Sequence, residues 1–329
     1  MIRDKRNVGL LIIAPIFVLT MLHFVFGNEE YVPKIGFVDI PNEIVDHMNV
    51  NGAIVTTYVD EKKAEKDLAA RTIDGYLVFD GNKPTVVLEG SDPSVSSATM
   101  KWFQQAMPTS QSNSNVHEPT IKYFHGSNDM GMFDYFGPVL VGFFVFFFVF
   151  LIAGVSFLRE RTTGTLERLL ASPLRRWEIV IGYVMGFGLF TMIQSTIIVA
   201  YAIYVLGMVM EGAFGYVLLI TLLLALSALT LGILLSSFAN NELQMMQFIP
   251  IIVIPQVFFS GLFNLETISD WLSWIGYITP LYYAAEALRN VMVRGYGWEA
   301  IYLDLVFLVG FSLLFISINI VALRKYRKI

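Results

Sequence analysis

The sequence offers little for covalent or metal chemistry. It has no cysteine, which removes disulfides, thiolate nucleophiles and cysteine-ligated metals. Its four histidines, His23, His47, His117 and His125, are scattered, whereas an enzyme or metal site needs His, Asp and Glu clustered together. No GxxxxGK[ST] pattern occurs, so the phosphate-cradling loop of a P-loop ATPase is not encoded here. The residues that could do work are arranged for noncovalent chemistry. In "RERTTGTLERLLASPLRRWEIV" (Arg159 to Val180), Leu166, Leu169 and Leu170 recur at i, i+3 and i+4, which puts them on one helix face. Glu167 and Arg168 flank that stripe, and Pro173 ends the helix. Such a helix either rests on anionic lipid headgroups or seats in the groove of a partner protein. A second constellation is Glu286 and Arg289, at i and i+3, which can pair on a short re-entrant helix and so lower the cost of holding charge there.

The elements that must position these residues are membrane spans. The chain is 55% hydrophobic and only 15% charged, with a mean hydropathy of +0.62, too apolar and too clustered for an ordinary soluble domain. A crossing needs about 20 residues at about 1.5 Å rise each, and six runs qualify. They are Val8 to Phe26, about Phe136 to Leu158, Ile179 to Leu206, Phe214 to Leu235, Met245 to Phe263 and Ile301 to Leu323. The lysines and arginines close to span ends lie before the first, between the second and third, and after the sixth, all on one side. Cytoplasmic flanks carry that excess, so both termini and the Arg159 segment are expected in the cytoplasm. The loop "SSFANNE" shares that side but holds no basic residue. The length of the first run and the lack of a small-x-small site after it favour an anchor over a cleaved signal peptide.

Residues 27–135 then form an extracytoplasmic domain, residues 1–26 the cytoplasmic N-terminus with the first span, and residues 136–329 the second to sixth spans. In the outer domain "KIGFVDI", "AIVTTYV", "GYLVF" and "TVVLE" read as strands. "DEKKAEKDLAARTI" is a helix with Asp60 as N-cap and Ala64 and Leu68 on one face, and "SVSSATMKWFQQAM" is a second helix. The expectation is a small α/β domain, followed by the polar linker "PTSQSNSNVHEPT". The central spans hold no Lys, Arg, Asp or Glu, the residues that ion-coupled carriers retain inside the membrane. His23, near the outer end of the first span, reads as an interfacial residue. The second span carries six phenylalanines between Phe143 and Phe150, too many for one face. The segment of about 264–299 is too short and interrupted for two more spans, and its Trp and Tyr suit the outer interface.

Two stretches resemble the permeases of ABC-2 type transporters. "RERTTGTLERLLASPLRRWEIVIGY" is similar to the family's cytoplasmic segment through Glu160, Arg161, Gly164, Thr165, Glu167, Leu169, Leu170, Pro173 and Glu178. "FFSGLFNLETISDWLSWIGYITPLYYAAEALRNVMVRG" is similar to its segment between the fifth and sixth spans through Ser260-Gly261, Thr279-Pro280 and the Ala-Leu-Arg ending at Arg289. Two departures stand beside these matches: only seven residues precede Val8, where members carry a longer amphipathic helix, and Tyr183 stands where a lysine is common.

The resemblance implies an α-helical polytopic membrane protein with six transmembrane helices, like the type V exporters, carrying an inserted α/β domain. It implies a coupling helix at about 160–178, including Leu166, that seats in a separate ABC ATPase. Two ATPase copies and a second permease chain, identical or homologous, complete the unit. ATP and Mg would be bound by the ATPase, leaving this chain with no catalytic residue, metal or cofactor of its own. Lipid is an expected partner and nucleic acid is not. Phe143, Phe147, Gln256 and Phe259 are the expected wall of a path for a hydrophobic or amphiphilic cargo. Gly261, Pro280, Glu286 and Arg289 are expected in a lid at its outer end. The expectation is thus an exporter in the cytoplasmic membrane. The alternative from another class is a membrane receptor whose outer domain binds a ligand, which predicts a long cytoplasmic output region.

Overall fold

The computed structural model describes residues 31–40, 52–80, 83–106, 120–125, 132–262 and 270–323. The expected first span, Val8 to Phe26 with His23, lies outside these residues. The chain divides into two compact units, one within Glu29–Tyr135 and one containing Phe136–Ile329.

The smaller unit is a five-stranded sheet with a helix on each face. Its elements are β1 (Lys34–Val38), β2 (Ile54–Tyr58), α1 (Glu61–Ala69), β3 (Gly75–Asp80), β4 (Lys83–Leu88), α2 (Pro93–Ala106) and β5 (Thr120–Tyr123). The order across the sheet is β2-β1-β3-β4-β5, and every neighbouring pair is parallel except the hairpin β3/β4. Side chains alternate between the faces of a strand. Leu77 and Val86 therefore pack with Trp102 and Phe103 of α2, while Tyr76 and Val87 pack with Ala64 and Leu68 of α1. Asp60 starts α1 by accepting a hydrogen bond from the Lys62 amide at 3.1 Å. β5 is the strand that no sequence signal announces: four residues at the end of a polar stretch, paired in parallel with Thr85–Leu88 of β4 and with Tyr123 packed on the apolar core.

The larger unit comprises α3 (Met132–Thr162), α4 (Thr165–Ala171), α5 (Arg176–Tyr204), α6 (Phe214–Ser236), α7 (Glu242–Val257), α8 (Asp270–Tyr277), α9 (Pro280–Met292) and α10 (Trp298–Ala322). A π turn, Phe258–Leu262, extends α7. Among the described residues, α3, α5, α6, α10 and α7 with its π turn are long and apolar enough to cross a membrane. They occupy the positions of the second to sixth expected runs.

α6 lies at the centre, packed against α5, α9 and α10. Lipid chains are as apolar as leucine, so packing between spans depends on small residues and polar contacts. Both occur here. A Cβ on Gly232 would meet the Phe150 carbonyl oxygen at 2.6 Å, and one on Gly154 would meet the Met245 methyl and sulfur and, at 3.3 Å, the Gly232 carbonyl. The backbones of α3 and α6 therefore approach at the glycine pair. On the other side of α6, the Ser227 hydroxyl lies 2.9 Å from that of Ser312, and Asn319 donates to the Thr230 carbonyl at 2.8 Å. By contrast α5 and α10 leave most of their apolar surface outward, only 22% of each hydrophobic window being buried in the chain.

α7 contains Pro250 and Pro255. Each lacks the N–H that would bond the carbonyl four residues back, and the helix loosens into the π turn, where Gly261 takes φ +78°. Gln256 returns its side-chain amide to the Ile252 carbonyl at 3.1 Å.

Two tests follow from this packing. Gly232→Val should force α3 and α6 apart and lower the melting temperature in detergent by several degrees or abolish folding, whereas Gly215→Ala, with open space around its Cβ, should leave it unchanged. Asn319→Leu should cost about 0.6 kcal/mol, the usual worth of an interhelical hydrogen bond in a membrane, read as a change in unfolding free energy in mixed micelles.

Candidate functional site

The Arg159–Val180 segment folds as a helix end, a short helix and a helix start. α3 closes with the Thr163 hydroxyl donating to the Arg159 carbonyl at 2.8 Å. Gly164 then takes φ +80° with nothing within 4 Å of a built Cβ, so glycine is required by backbone conformation and not by space. The reversal starts α4. Ser172 stops it, its backbone extended and its hydroxyl donating to the Leu169 carbonyl at 2.6 Å. α5 begins where Glu178 accepts the Arg175 amide at 2.6 Å.

The leucines of α4 face inward. Leu166 is 1% exposed and Leu170 6%, both in the same apolar core as α3, α5 and α6, with Leu169 partly buried against it. Glu160, Arg161, Gly164 and Thr165 are half-buried at the turn. From α4 onward the outward surface consists of Glu167, Arg168, Ala171, Pro173, Leu174, Arg175 and Trp177. The outward surface of this segment is therefore mixed charge and apolar, and the leucine stripe ties the segment to the bundle.

A second element joins the segment. Arg161 donates to the Ser237 carbonyl at 2.8 Å and also to the Ala239 carbonyl. These oxygens lie just past the C-terminus of α6, where a cation is favoured by the helix dipole. Two residues earlier, Arg159 pairs with Glu242 at 2.7 Å, the first residue of α7. Asn241 caps α7 by accepting the Gln244 amide, and the Gln244 side chain accepts the Asn240 amide, each at 2.8 Å. The sequence placed this loop on the same side as the Arg159 segment but did not join the two, because the Ser237 and Ala239 acceptors are backbone carbonyls without a residue letter and Glu242 lies 83 residues from Arg159. The Asn241-x-x-Gln244 spacing, a capping pattern, was the available signal.

Beyond the far end of α7, three of the four expected lid residues, Gly261, Glu286 and Arg289, come together. The Arg289 guanidinium donates to the Gly261 carbonyl at 2.8 Å and pairs with Glu286 at 3.3 Å. Arg294, missed from the sequence, donates to the other oxygen of Glu286 at 3.0 Å and to Asn290. Arg289 and Arg294 are 6% and 8% exposed; charges so buried need partners, and removing one costs more than the pair contributes. Pro280 is the first residue of α9, beside Thr279, whose hydroxyl donates to the Gly276 carbonyl at 2.8 Å. Pro280 thus starts the helix that carries Glu286 and Arg289.

The four expected path residues divide. Phe143 and Phe147 stack on each other, 5.7 Å between centroids, and are half-buried. Phe144 and Phe148 are the exposed pair, and Phe146 and Phe150 the fully buried one. Gln256 is 3% exposed and Phe259 fully buried, inside the chain. The Gln256 carbonyl oxygen has no hydrogen-bond partner, an unusual state for a buried amide. Among the described residues no three His, Asp or Glu side chains are grouped to hold a metal ion.

A family model described as ABC-2 family transporter protein matches residues 8–321. Over 259 residues the chain is 28% identical to ABC transporter G family member 20 of Dictyostelium discoideum, covering 78% of this chain and 35% of that one. It is 24% identical over 197 residues to the probable multidrug ABC transporter permease YbhR of Escherichia coli, covering 59% and 53%. Over 176 residues it is 23% identical to the inner membrane transport permease YhhJ of Escherichia coli, covering 53% and 47%. The chain thus spans from about a third to about half of the length of these relatives. With a match over nearly all of its length and several helices able to cross a membrane, this chain belongs to the ABC-2 transporter family.

Proposed function

We propose that this chain is the membrane-spanning permease of an ATP-driven exporter in the cytoplasmic membrane, with both termini cytoplasmic. The observation that carries the reading is the α3–α4–α5 turn. A mixed polar and apolar surface faces outward while Leu166 and Leu170 anchor the same short helix in the core of the spans. A turn built this way transmits force. Closure of an ATPase dimer against α4 is passed by the buried leucines to α3 and α5, as packed elements shift together and do not deform continuously.

The ATPase is a separate polypeptide in two copies, supplying bound ATP and Mg, and a second permease chain, identical or homologous, completes the unit. The likeness to Escherichia coli chains described as a multidrug permease and a transport permease supports a small-molecule cargo, hydrophobic or amphiphilic, such as a drug, antibiotic or lipid. The path runs beside α3 and α7. Phe143 and Phe147 offer aromatic surface, and α7, loosened at its prolines and π turn, is the helix whose bending would bring Gln256 and Phe259 to that path. The Glu286, Arg289 and Gly261 cluster then fixes the outer end of α7 and acts as the lid's frame.

The test uses the outward face, since Asp at Leu166 would disrupt the core itself. Leu174→Ala with Trp177→Ala should weaken binding of the purified ATPase about tenfold or more, given about 1.5 to 3 kcal/mol per large apolar side chain buried, without changing membrane insertion. Cargo-stimulated ATP hydrolysis in liposomes should fall in step. Unchanged binding and unchanged stimulation would make the turn a lipid-surface element and overturn the reading.

A further inference from the structure

The sheet of the smaller unit ends in two edge strands that are built differently. β5 is four residues long and carries the exposed Lys122, a charge of the kind that blunts an edge against further pairing. β2 has no such guard. From Ala53 to Val59 the chain holds neither a charge nor a proline, and among the described residues only β1 pairs with this strand. Two bonds fix which way its backbone points: the Ile54 amide donates to the Pro33 carbonyl, and the Tyr58 carbonyl accepts the Asp39 amide, each at 2.9 Å. In a parallel pair alternate residues of a strand bond the neighbour, so Ile54, Thr56 and Tyr58 are turned to β1. Val55, Thr57 and Val59, the residue after the strand, present their N–H and C=O groups to the free edge. Thr57 is exposed and Val59 is 94% exposed.

The outward residues Val55, Thr57 and Val59 read the same in both directions, and this selects the partner. A strand of the same sequence, antiparallel to β2 about a two-fold axis through Thr57, sets Thr57 against the partner's Thr57, Val55 against the partner's Val59, and Thr56 against the partner's Tyr58. Thr–Thr, β-branched and aromatic–β-branched pairs are all favourable across antiparallel strands, and no like charges meet. The outward residues fall in the pairs that exchange both N–H···O bonds, so the free backbone groups of each edge satisfy those of the other. The nearly bare Val59 comes to lie on the partner's Val55. Such a self-complementary two-fold contact is the form that most homo-oligomers use. We propose that the β2 edges of two copies of this chain pair antiparallel about Thr57 and join their sheets into one. This deepens the permease reading above, in which the second chain is identical or homologous, by making it identical.

The chain has no cysteine, so single thiols report the contact. Two differently tagged copies of the full chain, each with Thr57→Cys, are expressed together and their membranes treated with a short bis-maleimide. An adduct holding both tags is expected, several-fold above that given by Lys122→Cys on the other edge. Register is checked with one Val55→Cys copy and one Val59→Cys copy, which should also cross-link, and adding Thr57→Pro to both should reduce that adduct several-fold. Proline is tolerated in an edge strand where its missing N–H would face away from the sheet. Thr57→Pro should therefore keep the melting temperature of the purified chain, whereas Thr56→Pro, whose amide faces β1, should lower it. No adduct at Thr57→Cys, an adduct with another protein in place of the second tag, equal adducts on the two edges, or equal destabilisation by the two prolines would overturn the pairing. ATPase binding to the same membranes separates the two readings. Binding without the Thr57→Cys adduct overturns the pairing and leaves the permease reading standing, and the adduct without binding does the reverse.

Discussion

Guanidinium groups binding bare backbone carbonyls hold the larger unit together at the places where helices stop. A helix end leaves carbonyls without N–H partners, and in apolar surroundings an unmet carbonyl is expensive. α7 has such a break on both sides. Before it, the turn after α6 exposes the Ser237 and Ala239 carbonyls, and Arg161 takes both. After it, the π turn frees the Gly261 carbonyl, and Arg289 takes that one. Arginine suits both places because its planar fork offers several donors at once and stays charged. The two arginines come from the end of α3 and from α9, so the middle of α7 is suspended between the two stretches that resemble the family.

This suspension gives the prolines of α7 a context. Helices kink where Pro removes a bond and where a π turn inserts a residue, and α7 has both within one span while its ends are clamped. The breaks in the regular hydrogen-bond ladder fall between Pro250 and Gly261, a stretch that includes Gln256 with its unmet amide oxygen. The rest of the unit is built to resist change: glycine-to-backbone contact joins α3 to α6, and side-chain hydrogen bonds join α6 to α10.

The long spans were legible in the sequence because a bilayer demands a run of about 20 apolar residues and a soluble core seldom does. The strands β1 to β4 and both helices of the sheet unit were legible from alternation and capping, whereas β5 depends on a partner more than thirty residues away in β4 and has too few residues for a pattern. Leucine spacing revealed α4 and which residues share its face, but periodicity is silent on what the face meets; Leu166 and Leu170 meet the chain's own core. The Glu286–Arg289 pair was readable as i, i+3 on one helix. Arg294 lies past the end of α9, where helical spacing no longer predicts neighbours, and its bond to Glu286 needed the fold. The six phenylalanines of α3 could be counted, yet only packing sorts them into buried, half-buried and exposed pairs.

The central position of α6 also sets an order for assembly during synthesis. α6 emerges from the ribosome before α9 and α10, so for a time its polar side chains stand in lipid without the partners they finally have. Ser227 and Thr230 are placed to donate to the Leu223 and Leu226 carbonyls of their own helix. Such back-bonding is available at once. Each hydroxyl is thus satisfied while α6 waits, and the arrival of α10 brings Ser312 to the Ser227 hydroxyl and Asn319 to the Thr230 backbone carbonyl. The Ser227 and Thr230 hydroxyls therefore add little to the cost of placing α6 in hydrocarbon before its later neighbours are made.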